Sequence, residues 1–204
     1  MLAGEKAAWE KLELRDPYEV AELAEAEYWE DDDVLVLTVF GQAYLVNTAE
    51  REIREIGVHD LHLEDTTHLN LLVPLYLASS APPVPGGRLV KPEALPGGSA
   101  FFKGPHELPT EVIAHHFCST PDRFIEVGLK LGGSRTDGGD AAVVIPTFTK
   151  IPVTVMLWLG DLEFPARAQL LLDATAIQLL PLDALWATLV MTSQAMIQVA
   201  GSHH

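Results

Sequence analysis

The chain has 204 residues, 48% hydrophobic and 21% charged, which suits one globular domain with enough apolar material for a core. Lys and Arg number 13 against 29 Asp and Glu, a formal charge of 13 − 29 = −16, and no local basic cluster offsets it. Such a surface repels phosphate backbones and anionic headgroups, so nucleic-acid and membrane-surface binding are both disfavoured.

The single cysteine, Cys118, allows no internal disulfide and cannot by itself hold an iron–sulfur cluster, which fits a reducing cytoplasm. No basic segment leading into an apolar one opens the chain, so a secretion signal is not expected. The most apolar stretch, Ala184 to Ala200, is interrupted by Thr188, Thr192, Ser193, Gln194 and Gln198 and reads as a packed helix rather than a membrane span. Residues 1–200 are read as one domain, and Gly201-Ser202-His203-His204 as an affinity-tag remnant whose histidines carry no functional weight.

Asp16-Pro17-Tyr18-Glu19 predicts a helix start, with Asp16 as cap, Pro17 at the first helical position and Glu19 placed to close a capping box. Val20, Leu23, Ala24 and Tyr28 continue it as an apolar stripe, and Trp9 and Leu12 indicate an earlier helical turn packed nearby. Asp31-Asp32-Asp33 is a solvated turn. A strand follows over Val34–Phe40, and Gly41-Gln42, with glycine first, predicts a type II′ connection to a returning strand over Ala43–Asn47. Ile53–Val58 is expected as a third strand.

Asp65 or Thr66 caps a helix carrying Leu69, Leu72, Val73, Tyr76 and Leu77, in which Pro74 should introduce a kink or shift the start. Ala81–Gly87 and Pro92–Gly98 read as rigid surface loops, the second anchored by Phe101 and Phe102. Thr110 opens a short helix, and Thr120-Pro121-Asp122 opens another that ends at Gly132-Gly133. Strands are expected near Ala141–Pro146, Val153–Leu159 and Gln169–Asp173, and a last helix from Asp183 carries Leu185, Trp186, Leu189, Met196 and Val199. A hairpin, then helices, then strands and a helix predict an α+β fold with a mainly antiparallel sheet and helices packed on it.

Landmarks run the length of the chain: Asp16-Pro17, Phe40-Gly41 with Tyr44 and Val46, Leu95-Pro96-Gly97-Gly98, Phe101-Phe102 and Leu131-Gly132-Gly133. They continue with Gly139-Asp140-Ala141-Ala142, Ile151-Pro152-Val153, the block from Trp158 to Pro165, Leu172-Asp173 and Leu180-Pro181. In this order they resemble an uncharacterised prokaryotic family, the domain of unknown function numbered 3786, from about Trp9 to Met196. The block from Trp158 to Pro165 is the most specific part. The resemblance implies a setting in anaerobic metabolism, where some members carry a cysteine-rich iron–sulfur module of the kind seen in corrinoid and carbon-monoxide-dehydrogenase proteins. This chain lacks that module, so an iron–sulfur centre is implied only in a partner protein.

Three constellations bear chemistry. Asp140, Asp161, Glu163 and Asp173 each end a predicted strand, so a shared sheet edge would gather carboxylates for a hard divalent cation such as Mg²⁺ or Ca²⁺. Crowding would alternatively raise one pKa and create a general acid. The structural alternative has Asp161 and Glu163 building a tight turn and Asp173 capping the next helix. The histidines fall into two groups, His59, His62 and His68, then His106, His115 and His116, without the spacing of a compact zinc motif. Imidazole also ligates iron and tetrapyrrole metals, although His115 and His116 point about 100° apart on a helix. Asp60-Leu61-His62 resembles the start of a corrinoid lower-ligand signature, but Asp65 stands where that signature has glycine. Gly104-Pro105-His106-Glu107-Leu108-Pro109-Thr110 places a His–Glu pair before a helix, suited to a base at a loop mouth or to a plain connector. Cys118 lies in an apolar setting without a fixed cation and is expected to pack.

Phosphate-binding and dinucleotide glycine loops, the His-Glu-x-x-His helix and the nucleophile elbow are all absent from the sequence. The expectation is a cytoplasmic domain that binds a small molecule or cofactor, with haem and corrinoid as candidates, through loops bearing His106, His115, Trp158, Asp161 and Glu163. The alternatives are a metal-dependent or acid/base enzyme using Asp140, Asp161, Glu163 and Asp173, and a structural partner of an iron–sulfur protein with an exposed apolar patch.

Overall fold

Asp16 begins the first secure element as expected. The computed structural model describes residues 3–57, 66–79 and 86–201, and opens with α1 (Ala3–Leu12) and α2 (Pro17–Ala24). The Asp16 carboxylate accepts from the backbone N–H of Tyr18 at 2.9 Å and of Glu19 at 3.1 Å. Glu19 does not return a capping-box bond; its carboxylate pairs with Arg15 at 2.7 Å. At the other end of α2, Lys150 is buried and its Nζ donates to the Leu23 carbonyl at 2.7 Å. An ammonium on the last-turn carbonyls satisfies groups the helix leaves open and complements its dipole.

Strands β1 (Glu27–Trp29), β2 (Val34–Val39), β3 (Gln42–Asn47) and β4 (Glu52–Ile56) form an antiparallel meander. The β2–β3 connection is Phe40-Gly41 rather than Gly41-Gln42, because Val39 faces Gln42 across the hairpin. Phe40 has φ 51° and Gly41 φ 74°, so the turn is type I′ and not the expected type II′. A left-handed phenylalanine is unfavourable locally. Its side chain, only 1% exposed, offsets that through burial, and its N–H donates to the Pro146 carbonyl at 3.1 Å.

The remaining elements are α3 (Thr67–Leu77), β5 (Leu89–Val90), α4 (Gly98–Phe101), α5 (Thr110–Phe117), α6 (Pro121–Lys130), β6 (Ser134–Arg135), β7 (Ala141–Phe148), β8 (Ile151–Trp158), β9 (Arg167–Asp173) and α7 (Leu182–Gly201). α3 runs on through the buried Pro74. The path of the sheet is β4-β3-β2-β7-β8-β9-β5, with β1 on β2 and β6 on β7, and every pairing is antiparallel. The fold is therefore α+β, with helices packed on a nine-stranded antiparallel sheet among the described residues. Among the described residues the meander joins the β7–β9 half at a single bridge, Val39 to Phe148. β1, β5 and β6 had no alternating signal because they are only two or three residues long.

Among the described residues, no helix is long and apolar enough to cross a membrane. Val58, His59, Asp60, Leu61, His62 and Asp65 lie outside the described residues, as do the first expected loop up to Pro85 and Ser202 to His204 of the tag remnant.

Candidate functional site

Trp158, the last residue of β8, faces Arg167, the first of β9. That register lays the Arg167 guanidinium over the indole, 4.3 Å from the ring centroid. Gly139 lies close to the indole: a methyl group on it would come within 3.3 Å of Trp158 Cε2 and would collide with the Leu157 carbonyl. From this corner a cleft of about 450 Å³ runs along Arg167, Ala168, Gln169 and Leu170. Lys91, Pro92, Glu93, Glu107, Leu108 and Thr110 line the rest of it.

Local chemistry explains why the cleft is open. β5 pairs with β9 only at Leu172 and Asp173. Pro92, two residues later, has no N–H to extend the ladder and instead opens a short 3₁₀ turn, Pro92–Ala94. Gly98 packs so closely on that turn that a Cβ would strike the Pro92 carbonyl. Some cations are ion-paired, as Arg51 with Glu13 at 2.6 Å and Arg123 with Glu126 at 2.9 Å. Arg167 and Lys91 make no ion pair among the described residues, although Glu93 and Glu107 share their cleft.

The expected site residues separate. Trp158 lies on the cleft, and Asp161 and Glu163 sit on the exposed turn beyond it. The Asp161 carboxylate accepts from the N–H groups of Glu163 at 2.8 Å and Phe164 at 2.7 Å, which hold its pKa below the usual aspartate value. Asp140, just before β7, accepts from the Leu159 N–H at 2.8 Å and ties the ends of β7 and β8 together. Asp173 stands at the far end of β9 and is buried. The four carboxylates therefore do not converge, because antiparallel pairing sends the end of β9 away from the end of β8. Among the described residues no three His, Cys, Asp or Glu side chains are grouped to hold a metal ion.

His106 and His115 also stand off the cleft. His115 is exposed on α5, while His106 stacks on Phe101 at 4.2 Å and meets the edge of Trp186 at 5.5 Å. His68 approaches the same indole at 6.1 Å, so the fold joins one member of each histidine group around Trp186. Glu107, the neighbour of His106, is the member of that pair that reaches the cleft. Cys118 is exposed rather than packed, since it lies just beyond the end of α5, whose final residue, Phe117, takes the buried position.

Burial pushes the Asp173 carboxyl up, but hydrogen bonds from the Thr175 hydroxyl, the Thr175 N–H and the N–H groups of Gly86 and Gly87 prevail and hold it below the usual aspartate value. A depressed folded pKa contributes stability at neutral pH that is lost as pH falls through the folded value. Asp173→Asn is expected to lower stability by about 2 kcal/mol at pH 7 and to lose less than the parent protein as the pH falls below the usual aspartate range. Urea unfolding at pH 7 and in acid measures both; equal acid sensitivity in the two proteins would count against the assignment.

A family model described as Domain of unknown function (DUF3786) matches residues 16–195. The chain belongs to the DUF3786 family. No significant match was found among curated proteins or among solved structures. The region matched to DUF3786 includes every residue lining the cleft. Of those residues, sequence reasoning picked out Trp158 and the segment holding Glu107, Leu108 and Thr110, but not Arg167, Lys91 or Glu93. The available signal was the scarcity of cations in so acidic a chain, which makes an arginine two residues after Pro165 stand out.

Proposed function

We propose that this DUF3786 domain binds a small polar ligand in the cleft along β9, anchored by an oxyanion of the ligand at Arg167. The observation that carries this reading is the guanidinium lying 4.3 Å over Trp158 without a carboxylate partner among the described residues. Stacking on an aromatic face restrains the plane of an arginine and leaves its N–H edge free for two parallel bonds to a carboxylate or phosphate. Restraint before binding lowers the ordering cost of recognition. Glu93 and Glu107 in the same lining provide acceptors for donor groups of the same ligand. No described histidine lines the cleft, so axial ligation of a tetrapyrrole has no support there.

Thermal-shift titrations with acetate, succinate, phosphate, haem and cobalamin as separate probes test the proposal. A carboxylate or phosphate probe should raise Tm, and Arg167→Ala should weaken that probe about 10- to 100-fold, as expected for losing a charged hydrogen-bonded pair. Trp158→Ala should weaken it less, by freeing the arginine. Haem and cobalamin should give no shift that depends on Arg167. If no anion moves Tm, or if Arg167→Ala leaves the shifts unchanged, the cleft is not an oxyanion site.

A further inference from the structure

The lining of the cleft carries charge of both signs, Lys91 and Arg167 against Glu93 and Glu107. The four formal charges cancel, in a chain whose formal net charge is −16. They share a cleft of about 450 Å³, yet among the described residues none of the four is in ion-pair contact with another. All four are exposed, so each keeps its charge available to a molecule in the cleft. The same lining includes apolar surface from Leu108 and from Pro92, which opens the 3₁₀ turn.

We propose that the ligand of the cleft is a zwitterion of the amino-acid class, its carboxylate at Arg167 and its ammonium at Glu93 and Glu107. This rests on the reading of the cleft as an oxyanion-anchored site and names the class of ligand. Charge decides between the classes. A simple anion gains from Arg167 and Lys91 but stands among two carboxylates, and it approaches a chain that repels it at a distance. A simple cation finds carboxylates but leaves the guanidinium over Trp158 without a partner. A molecule with both charges and no net charge meets no long-range repulsion and sets each end near its opposite. Its orientation is fixed as well, because a carboxylate only accepts hydrogen bonds and an ammonium only donates them. Lys91 balances the second glutamate, so the occupied cleft stays neutral. The aliphatic part of such a ligand has Pro92 and Leu108 to cover. The cleft volume falls within the ordinary range of small-molecule sites.

The test uses the full chain and two zwitterions of short and long charge separation, leucine and 6-aminohexanoate, titrated by NMR or calorimetry. Each is compared with derivatives that keep one charge: N-acetylleucine and leucinamide for the first, hexanoate and hexylamine for the second. At least one zwitterion should bind about 10-fold or more tightly than both of its singly charged derivatives. This comparison uses the unsubstituted protein and so does not depend on a variant folding. Arg167→Ala should weaken the zwitterion and the corresponding anion alike. The double variant Glu93→Gln, Glu107→Gln should abolish the advantage of the zwitterion over that anion and leave the anion bound no more weakly. If the anions bind as tightly as the zwitterions, or if the double variant leaves the preference unchanged, the zwitterion inference falls and the oxyanion site stands. If the amines bind as tightly as the zwitterions and Arg167→Ala has no effect, the cleft is a cation site and both readings fall. If none of these probes binds, while acetate or phosphate still acts through Arg167, only the zwitterion inference falls. If acetate and phosphate fail as well, both fall.

Discussion

Phe148→Ala should lower folding stability by about 4 kcal/mol, near the upper end of single core truncations. Phe148 is fully buried and stacks on Tyr76 with ring centroids 4.6 Å apart and planes 15° apart. It is also the β7 partner of Val39 at the one bridge between the meander and the rest of the sheet. The Tyr76 hydroxyl donates to the Ala24 carbonyl at 2.9 Å and accepts from the Lys150 N–H at 3.3 Å. Removing the phenyl ring therefore leaves a cavity and loosens a tyrosine that ties α2 to the β7–β8 turn. Domains hold only about 5–15 kcal/mol in total, so the loss should be plain in a shifted urea midpoint. Phe148→Leu should recover part of it by refilling the volume. A cost below about 1 kcal/mol for the alanine variant would show that the junction is not packed as described.

Gly132→Ala should cost about 3 kcal/mol, combining left-handed strain with overpacking. Gly132 has φ +72°, and a methyl group there would stand 2.8 Å from Gly41 Cα and 3.2 Å from the Phe40 carbonyl carbon. The obstacle is backbone on backbone, so no side chain can rotate away. The end of α6 and the β2–β3 turn thus share a contact that tolerates only hydrogen. Gly104 provides the control: its φ is +58°, but nothing lies within 4 Å of the added methyl group. Gly104→Ala should show the conformational cost alone, about 1 kcal/mol. Chemical denaturation of both variants separates the terms, and equal costs would remove close approach as the cause.

Phe40-Gly41 shows where local reading stops. The dipeptide Gly41-Gln42 has the chemistry of a type II′ turn, and nothing nearby contradicts it. The turn moved back one residue because Phe40 could bury its ring and Gly41 could meet Gly132, a residue far along the chain. The acidic constellation failed for a related reason. Asp161 does build the turn that its neighbours suggest, through bonds to the second and third residues after it. Asp173 was legible as a capping group, but its distance from Asp161 depends on which end of β9 meets β8. The loop carrying His106 and Glu107 was recognised as a feature. Which of the two would face the cleft and which would turn to Phe101 and Trp186 was not.

Capping at Asp16, the apolar runs of β2, β7 and β8, the helices after Thr110 and Thr120, the α+β class and the DUF3786 membership could all be read from the order of residues alone. Each depends on a side chain acting on its own backbone within a few positions, or on a pattern repeated along one element. The cleft could not. Arg167 reaches Trp158, and Lys91 and Glu107 come to line one cleft, only because β8, β9 and the turn at Pro92 have taken their places. Those juxtapositions come from pairing segments distant in the chain, and a carboxylate or a cation carries no local mark of the partner that folding will bring to it.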